Sequence, residues 1–360
     1  MKKEKFIDPW GSELPEDYAR LIKEFGLEEF KLSEFPEPNK LMRRGLVFAG
    51  RGLSMISKAI KEKKPFYALS GIMPSAEKIH LGNKCVIDNM IYFQEQGAKT
   101  YMLVADLESA ATRNVDIKEA RKRALNYHIP AYIALGLDYK KTKFYFQSTN
   151  KEVVSLAFSL SNKATLNEYR AIYGSVSPAR IISSVLQVAD ILYPQIEEEM
   201  PGIIPVGIDQ DPHIRLTRDI AKRAKNYKFF LPSGIYHKYT PALDGSLKMS
   251  KSKGNFIEIP ESPENIKNKI MKALTGGRKT AEEQKRLGGQ PEKDMLYELF
   301  KQHLIENDKE LLQRVKDNKS GKILSREDKE YAIELLNKFM DNFNKKFEKA
   351  RNIIDKVEII

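Results

Sequence analysis

Three short stretches, far apart along the chain, hold the residues best suited to handling phosphates. Residues 247–255 read LKMSKSKGN. Lys248 and Lys251 carry charge on flexible stems, Ser250 and Ser252 supply hydroxyls around Met249, and Gly254 ends the run. That set suits a grip on mobile phosphates, although in so lysine-rich a chain it is also the composition of an ordinary solvated loop. Residues 70–83 read SGIMPSAEKIHLGN, a segment that follows a predicted strand and opens a predicted helix. Its backbone amides and the helix dipole then face the carboxyl end of a sheet, where α/β proteins bind ligands. His80 and Asn83 share the first helical turn and can both reach an anion, while Gly82 removes a side chain so that a flat ring could lie on the backbone. Taken alone, a histidine–glycine pair at a helix start is common by chance. Residues 205–213 read PVGIDQDPH. Gly207 at a strand end lets a ligand approach, Asp209 can accept from a ribose diol, and Gln210 offers both donor and acceptor. Asp211, ahead of Pro212, reads as a helix cap.

The elements that would position these residues follow from hydrophobic periodicity. From residue 65 short β-rich runs (PFYALSG, KTYMLVAD, KFYFQ) alternate with longer helical periods (the 83–96 segment and DIKEARKRALNYHIPAYIALG). Strand, helix, strand, helix, strand implies an α/β domain with a parallel sheet and right-handed crossovers. Residues 148–195 read as a mostly helical insertion, after which GIIPVGIDQ resumes the sheet. Beyond LKMSKSKGN the chain is helical in period to residue 360, beginning at the serine–proline start of SPENIKNKIMKAL. The expected division is an N-terminal extension over 1–60, a catalytic domain over 61–258 and an all-α domain over 259–360.

Composition narrows the chemistry. A chain of 360 residues has room for two domains. The formal charge of +12 suits a polyanionic partner, but lysine and glutamate are both abundant, as on the ion-pair surfaces of heat-adapted proteins. A single cysteine, Cys85, excludes an internal disulfide and a multi-cysteine zinc site. The five histidines (His80, His128, His213, His237, His303) are scattered, so a metal held by the protein is not expected. The first residues, MKKEKFIDPWGSELPED, lack an apolar signal core, and no run of about 18 apolar residues occurs. A cytoplasmic location without membrane association is expected.

HxGN followed far downstream by KMSKS resembles the paired signatures of the class I aminoacyl-tRNA synthetases, in that order and on the expected elements. The combination is far more specific than either half. Within the class the chain is similar to the tryptophanyl and tyrosyl subgroup, particularly its archaeal tryptophanyl members, through FIDPWGSELPEDYARLIKEFG, LMRRGLVFAGR, YIALGL, YFQS, RAIYG, GIDQDPHIRLTRDIA and KIMKALTGGRKTAEEQKRLGG. The resemblance implies a Rossmann-like catalytic domain, a helical anticodon-binding domain and a homodimer. It implies activation of L-tryptophan by ATP, with Mg2+ carried on the ATP phosphates, and transfer to tRNA(Trp). Carried over by position, His80 and Asn83 would contact ATP phosphates and Gly82 would lie under the adenine. Lys248, Ser250 and Lys251 would hold departing pyrophosphate, with Met249 and Gly71 also at the ATP site. Gly207 and Asp209 would hold the ribose.

For the amino acid, VLQVADILYPQ places Gln187 and Asp190 on one helix face. The resemblance assigns Gln187 to the substrate ammonium and Asp190 to the polar hydrogen of the ring, with Gln210 and Leu69 in the same pocket. Asp190 could instead cap or pair on the surface. An aspartate accepts from both indole N–H and phenol O–H, so Leu69, where tyrosine enzymes place a tyrosine, argues for indole; Leu103 replaces a glutamine of the animal enzymes. A tyrosyl enzyme and a non-catalytic RNA-binding relative remain the alternatives. Arg43, Arg44 and Arg51, and Lys319, Lys322 and Arg326, are candidates for RNA contact or solvated faces.

Overall fold

The computed structural model describes residues 18–249 and 254–360. It divides into two compact units. One comprises residues up to Glu77, Val86–Lys238 and Ala350–Ile360; the other comprises Lys78–Cys85 and Tyr239–Lys349.

The first unit is built on a seven-stranded sheet of β1 (Glu28–Glu29), β2 (Val47–Arg51), β3 (Tyr67–Ile72), β5 (Lys99–Val104), β6 (Thr142–Phe146), β7 (Gly202–Gly207) and β8 (Ser233–His237), in the order β1-β2-β8-β7-β3-β5-β6. The five strands β3, β5, β6, β7 and β8 are parallel. Their sequences, such as YALSGI and KTYMLV, are nearly continuous apolar runs, the pattern of strands covered on both faces. The chain builds outwards from β3 through β5 to β6, then returns to the other side of β3 with β7. The order therefore reverses between β3 and β7, the kind of point at which open α/β sheets bind ligands beyond their carboxyl ends.

One face of the sheet packs on the helices Lys151–Leu160, Pro178–Leu192 and Asp211–Arg223. Because side chains alternate along a strand, Tyr67 and Leu69 of β3, Tyr101 and Leu103 of β5 and Tyr145 of β6 all turn to that face. They form one core with Val188, Ala189 and Leu192. The helical insertion expected over 148–195 thus supplies the lid of this core.

Two segments differ from their reading in the sequence. The stretch taken as part of an extension adds β2 antiparallel to β8, and β1 antiparallel to β2. The five residues VFAGR were too short, and too interrupted by glycine and arginine, to signal a strand. At the other end Phe144 N–H donates to Glu358 O (3.1 Å) and Ile360 N–H to Phe144 O (2.8 Å), so the last residues of the supposedly strand-free region cover the open edge of β6.

In the second unit, β4 (Ile79–His80) pairs antiparallel with β9 (Glu258–Ile259). Helices follow at Pro263–Lys272, Ala281–Leu287, Asp308–Lys319 and Ser325–Arg351. Ser262 caps the first by accepting from Asn265 N–H, with Pro263 as the first helical residue, as the serine–proline signal predicts. The glycines of TGGR and LGG serve close packing: a Cβ on Gly276 would lie 1.9 Å from Gln290 O, and one on Gly288, at φ +72°, 1.8 Å from Lys319 O. Among the described residues no helix is long and apolar enough to cross a membrane.

Candidate functional site

The second unit brings two of the three phosphate-type stretches together. Ile79 pairs with Ile259 and His80 with Glu258, and Leu81 N–H donates to Ile257 O (3.1 Å). The mouth of the helix Leu81–Glu95 is thereby stitched to the segment that follows the lysine loop. A Cβ on Gly82 would sit 3.9 Å from the Cβ of Met249, so the glycine of HLGN faces Met249 at the start of the lysine loop. It would also lie 2.9 Å from His80 Cε1; the space opened by glycine is taken first by the imidazole of His80.

The hydrogen bonds at the helix mouth fix the chemistry of each group. Gly82 N–H donates to His80 Nδ1 (3.1 Å), so Nδ1 is the acceptor and the ring proton of neutral His80 lies on Nε2. Asn83 Oδ1 accepts from His80 N–H (3.1 Å), which commits its carbonyl to the turn and leaves the amide as its donor end. Both side chains are thus set as hydrogen-bond donors, which is what an anion needs. The His80 ring lies 5.8 Å from that of Phe256, over which Lys269 places its ammonium at 5.1 Å.

The lysine loop is tied at its base. Met249 N–H donates to Thr240 O (3.1 Å) and Leu243 N–H to Asn255 O (3.1 Å). Asn255 Nδ2 bonds Asp244 Oδ2 (2.7 Å) and Ser246 Oγ (3.0 Å), closing the loop through its last residue. Met249 is buried, and the Lys248 ammonium lies 5.7 Å from the centre of the Tyr239 ring. Ser250 and Lys251 lie outside the described residues.

The remaining candidates belong to the first unit. Gly71 and Leu69 lie on β3, Leu103 on β5 and Gly207 at the last position of β7; Asp209 and Gln210 follow in the 3-10 turn Ile208–Gln210, half-buried. A Cβ on Gly71 would meet Leu103 at 3.5 Å. Across from this wall, Gln187 and Asp190 share the inner face of the helix Pro178–Leu192. Gln187 Oε1 is buried without a hydrogen-bond partner, an acceptor whose cost is removed by a bound donor such as an ammonium.

Asp190 is fully buried, which rules out the surface alternative. Its Oδ1 accepts from Tyr145 O–H (3.0 Å) and its Oδ2 from Gln147 Nε2 (2.7 Å). Burial pushes the carboxyl up to about 7, against these two hydrogen bonds, which favour the charged form; Glu108 and Asp106 nearby raise it further. Gln147 is oriented in turn by its Oε1, which accepts from Glu108 N–H (3.3 Å). Sequence reasoning missed Tyr145 and Gln147. The signal was in KFYFQ, where period-2 alternation puts both on the face of Leu69 and Leu103, with a glutamine at the strand's carboxyl end.

Two expectations are corrected. Asp211 does not cap its helix: its carboxylate takes a bidentate Arg51 (2.6 and 3.0 Å), Tyr236 O–H (2.6 Å) and Arg215 (3.1 Å). Arg51 is accordingly bound into the fold instead of being offered to RNA. Of the downstream cations, Lys319 meets Glu292 (3.7 Å), Lys322 meets Asp317 (3.7 Å) and Arg326 meets Glu330 (3.0 Å), as on a solvated face. Among the described residues no group of three or more His, Cys, Asp or Glu stands where it could hold a metal ion.

Residues 61–341 match the family model of tRNA synthetases class I (W and Y). The chain is 39% identical to a tryptophan–tRNA ligase of Methanocaldococcus jannaschii, covering 98% of this chain and 97% of that one. It is 40% identical to the tryptophan–tRNA ligase of Hyperthermus butylicus over 98% of both. The crystal structure of tryptophanyl-tRNA synthetase from the hyperthermophilic archaeon Aeropyrum pernix superposes with a TM-score of 0.89 at 40% identity, covering 98% of this chain and 99% of that chain.

Proposed function

Because the chain belongs to the class I tRNA synthetases of the tryptophan and tyrosine family, we propose that it activates L-tryptophan with ATP and transfers it to the 3′ end of tRNA(Trp). It is an aminoacyl-tRNA synthetase, and its substrates are tryptophan, ATP and tRNA. The observation that supports the reading at residue level is the β4–β9 pairing, with Leu81 N–H donating to Ile257 O (3.1 Å), which joins the mouth of the helix that carries Asn83, just after His80, to the segment that follows the lysine loop.

In the first step the tryptophan carboxylate attacks the α-phosphorus of ATP and pyrophosphate departs. The nucleophile is already ionised, so no general base is required; in-line placement and cations at the leaving group do the work. His80 Nε2–H, the Asn83 amide, Lys248 and Lys251 are assigned to the phosphates, with Ser250 and Met249 lining the same loop. Mg2+ enters with ATP as part of the substrate. Gly71, Gly207 and Asp209 are assigned to the nucleoside, Gln187 and Gln210 to the polar end of tryptophan, and Asp190 to the indole N–H. Leu69 supports tryptophan over tyrosine, since it adds only apolar surface and a phenol would find one partner fewer.

In the second step a terminal ribose hydroxyl of tRNA, the 2′-OH by family resemblance, takes the acyl group, with residues 259–360 assigned to the anticodon arm. A homodimer in the cytoplasm completes the reading. Phe158 and Ile182 are 78% and 65% exposed on the helices Lys151–Leu160 and Pro178–Leu192, large apolar side chains suited to burial against a second copy. The test is charging of tRNA(Trp) transcripts ending in 2′-deoxy- or 3′-deoxyadenosine. Tryptophan should load the 3′-deoxy transcript and not the 2′-deoxy one; loading of neither by an enzyme that charges unmodified tRNA with tyrosine alone would overturn the assignment.

A further inference from the structure

Beneath the lysine loop lies a buried polar cluster that the reaction as described does not use. Thr240, Gln302, His303 and Cys85 are all buried. Gln302 Nε2 faces two pure acceptors, Glu298 Oε2 (2.9 Å) and Tyr239 O (3.4 Å), so its amide orientation is determined and its Oε1 faces Thr240 Oγ1 at 2.7 Å. Thr240 must therefore donate its hydroxyl proton to Gln302. It follows that the contact between Thr240 Oγ1 and His303 Nε2 (2.9 Å) has the imidazole as donor. The cluster is a directed chain: His303 Nε2–H to Thr240, Thr240 O–H to Gln302, and Gln302 N–H to the backbone of Tyr239. The Cys85 thiol, in the first helical turn after HLGN, donates to Gln302 Oε1 (3.8 Å).

Two features tie this chain to the signatures. The residues it grips are those that hold the loop: Thr240 O accepts from Met249 N–H (3.1 Å), and the Tyr239 ring lies under the Lys248 ammonium. In addition, Gln302 and His303 sit in a π-helical turn, Phe300–Leu304. Consecutive residues of a regular α-helix point about 100° apart, and the wider π turn lets both reach one hydroxyl. Such turns recur at functional sites.

We propose that Thr240, Gln302 and His303 form a relay that fixes the root of the KMSKS loop against the mouth of the HLGN helix, making Gln302 and His303 positioning residues for adenylate formation although they lie in the helical region. The relay rests on the functional reading above. It acts on the pyrophosphate end of ATP only, through Met249 and Lys248, and leaves tryptophan binding alone. The region assigned to tRNA is thereby wired to the activation loop.

Tryptophan-dependent ATP–pyrophosphate exchange by the full-length protein tests it, with Thr240→Val, Thr240→Ser and Gln302→Met, alongside tryptophan KM and thermal midpoint. The valine and methionine variants should lose about tenfold or more in kcat, with tryptophan KM within about twofold and the folded fraction unchanged at the assay temperature. The serine variant, which keeps the hydroxyl, should recover most of the rate. Unchanged kcat in the valine and methionine variants, equal losses in serine and valine, or losses that follow the folded fraction would overturn the relay. Absence of exchange in the unmodified protein would overturn the functional reading, and the relay with it.

Discussion

At the scale of single residues, Asp190 shows how a buried carboxylate can be both costly and useful. Full burial favours its neutral form, and Tyr145 and Gln147 hold the charged form in place with one hydrogen bond on each oxygen. Its folded value of about 7 lies above the ordinary aspartate value of 3.8. The sign follows: the contribution of this group to stability is full below about 3.8 and is lost as pH rises through about 7. Binding runs the other way, because an anionic carboxylate is the better acceptor for an indole N–H. Tryptophan KM should therefore fall as pH rises through the neutral range, and Asp190→Asn should raise KM and flatten that profile. Steady-state exchange kinetics across pH 5.5–8.5, a range set by about 1.5 units on either side of neutrality, would reveal it; an unaltered slope in the variant would remove Asp190 from the pocket.

At the scale of elements, both units are clamped by buried carboxylates between arginines and tyrosines. Asp328 of the helix Ser325–Arg351 is fully buried and accepts from Arg314 (2.7 Å), Asn318 (3.0 Å) and Tyr297 (3.1 Å), joining three helical segments. Asp328→Ala strands a buried guanidinium and should cost about 3–5 kcal/mol, read as a lower denaturant midpoint with an unchanged m-value.

These clamps mark the limit of what the sequence discloses. The parallel strands, the helical insertion and the serine–proline start were legible because each is local, written in apolar runs and caps. Gly82 and Met249 were legible as parts of two motifs because each motif is written in consecutive residues. The partners of Asp190 and Asp211 were not, because Gln147 and Arg51 come from elements remote in the sequence and nothing in their own neighbourhoods marks a buried acceptor elsewhere. Asp211 looked like a cap since Asp–Pro usually is one; tertiary pairing with Arg51 and Tyr236 overrode the local preference. Thr240 carried no signal at all, its role being set by a π turn sixty-odd residues downstream.

At the scale of the whole molecule, the chain carries a formal charge of +12, which favours a polyanion such as tRNA, and among the described residues many cations meet carboxylates. The exposed Phe158 and Ile182 offer a more specific candidate contact. If it is the self-contact, Phe158→Glu should shift the protein from dimer to monomer in sedimentation velocity at micromolar concentration; a dimer unchanged by this substitution places the contact elsewhere.

In the proposed reaction, ATP must meet the two signatures while tryptophan occupies the Asp190 pocket. The direct measurement is ATP–pyrophosphate exchange by the full-length protein with each of the standard amino acids offered singly. Exchange supported by tryptophan, and by tyrosine at a rate lower by about two orders of magnitude or more, is the predicted result. Exchange with tyrosine as the preferred substrate, or with none of them, would contradict it.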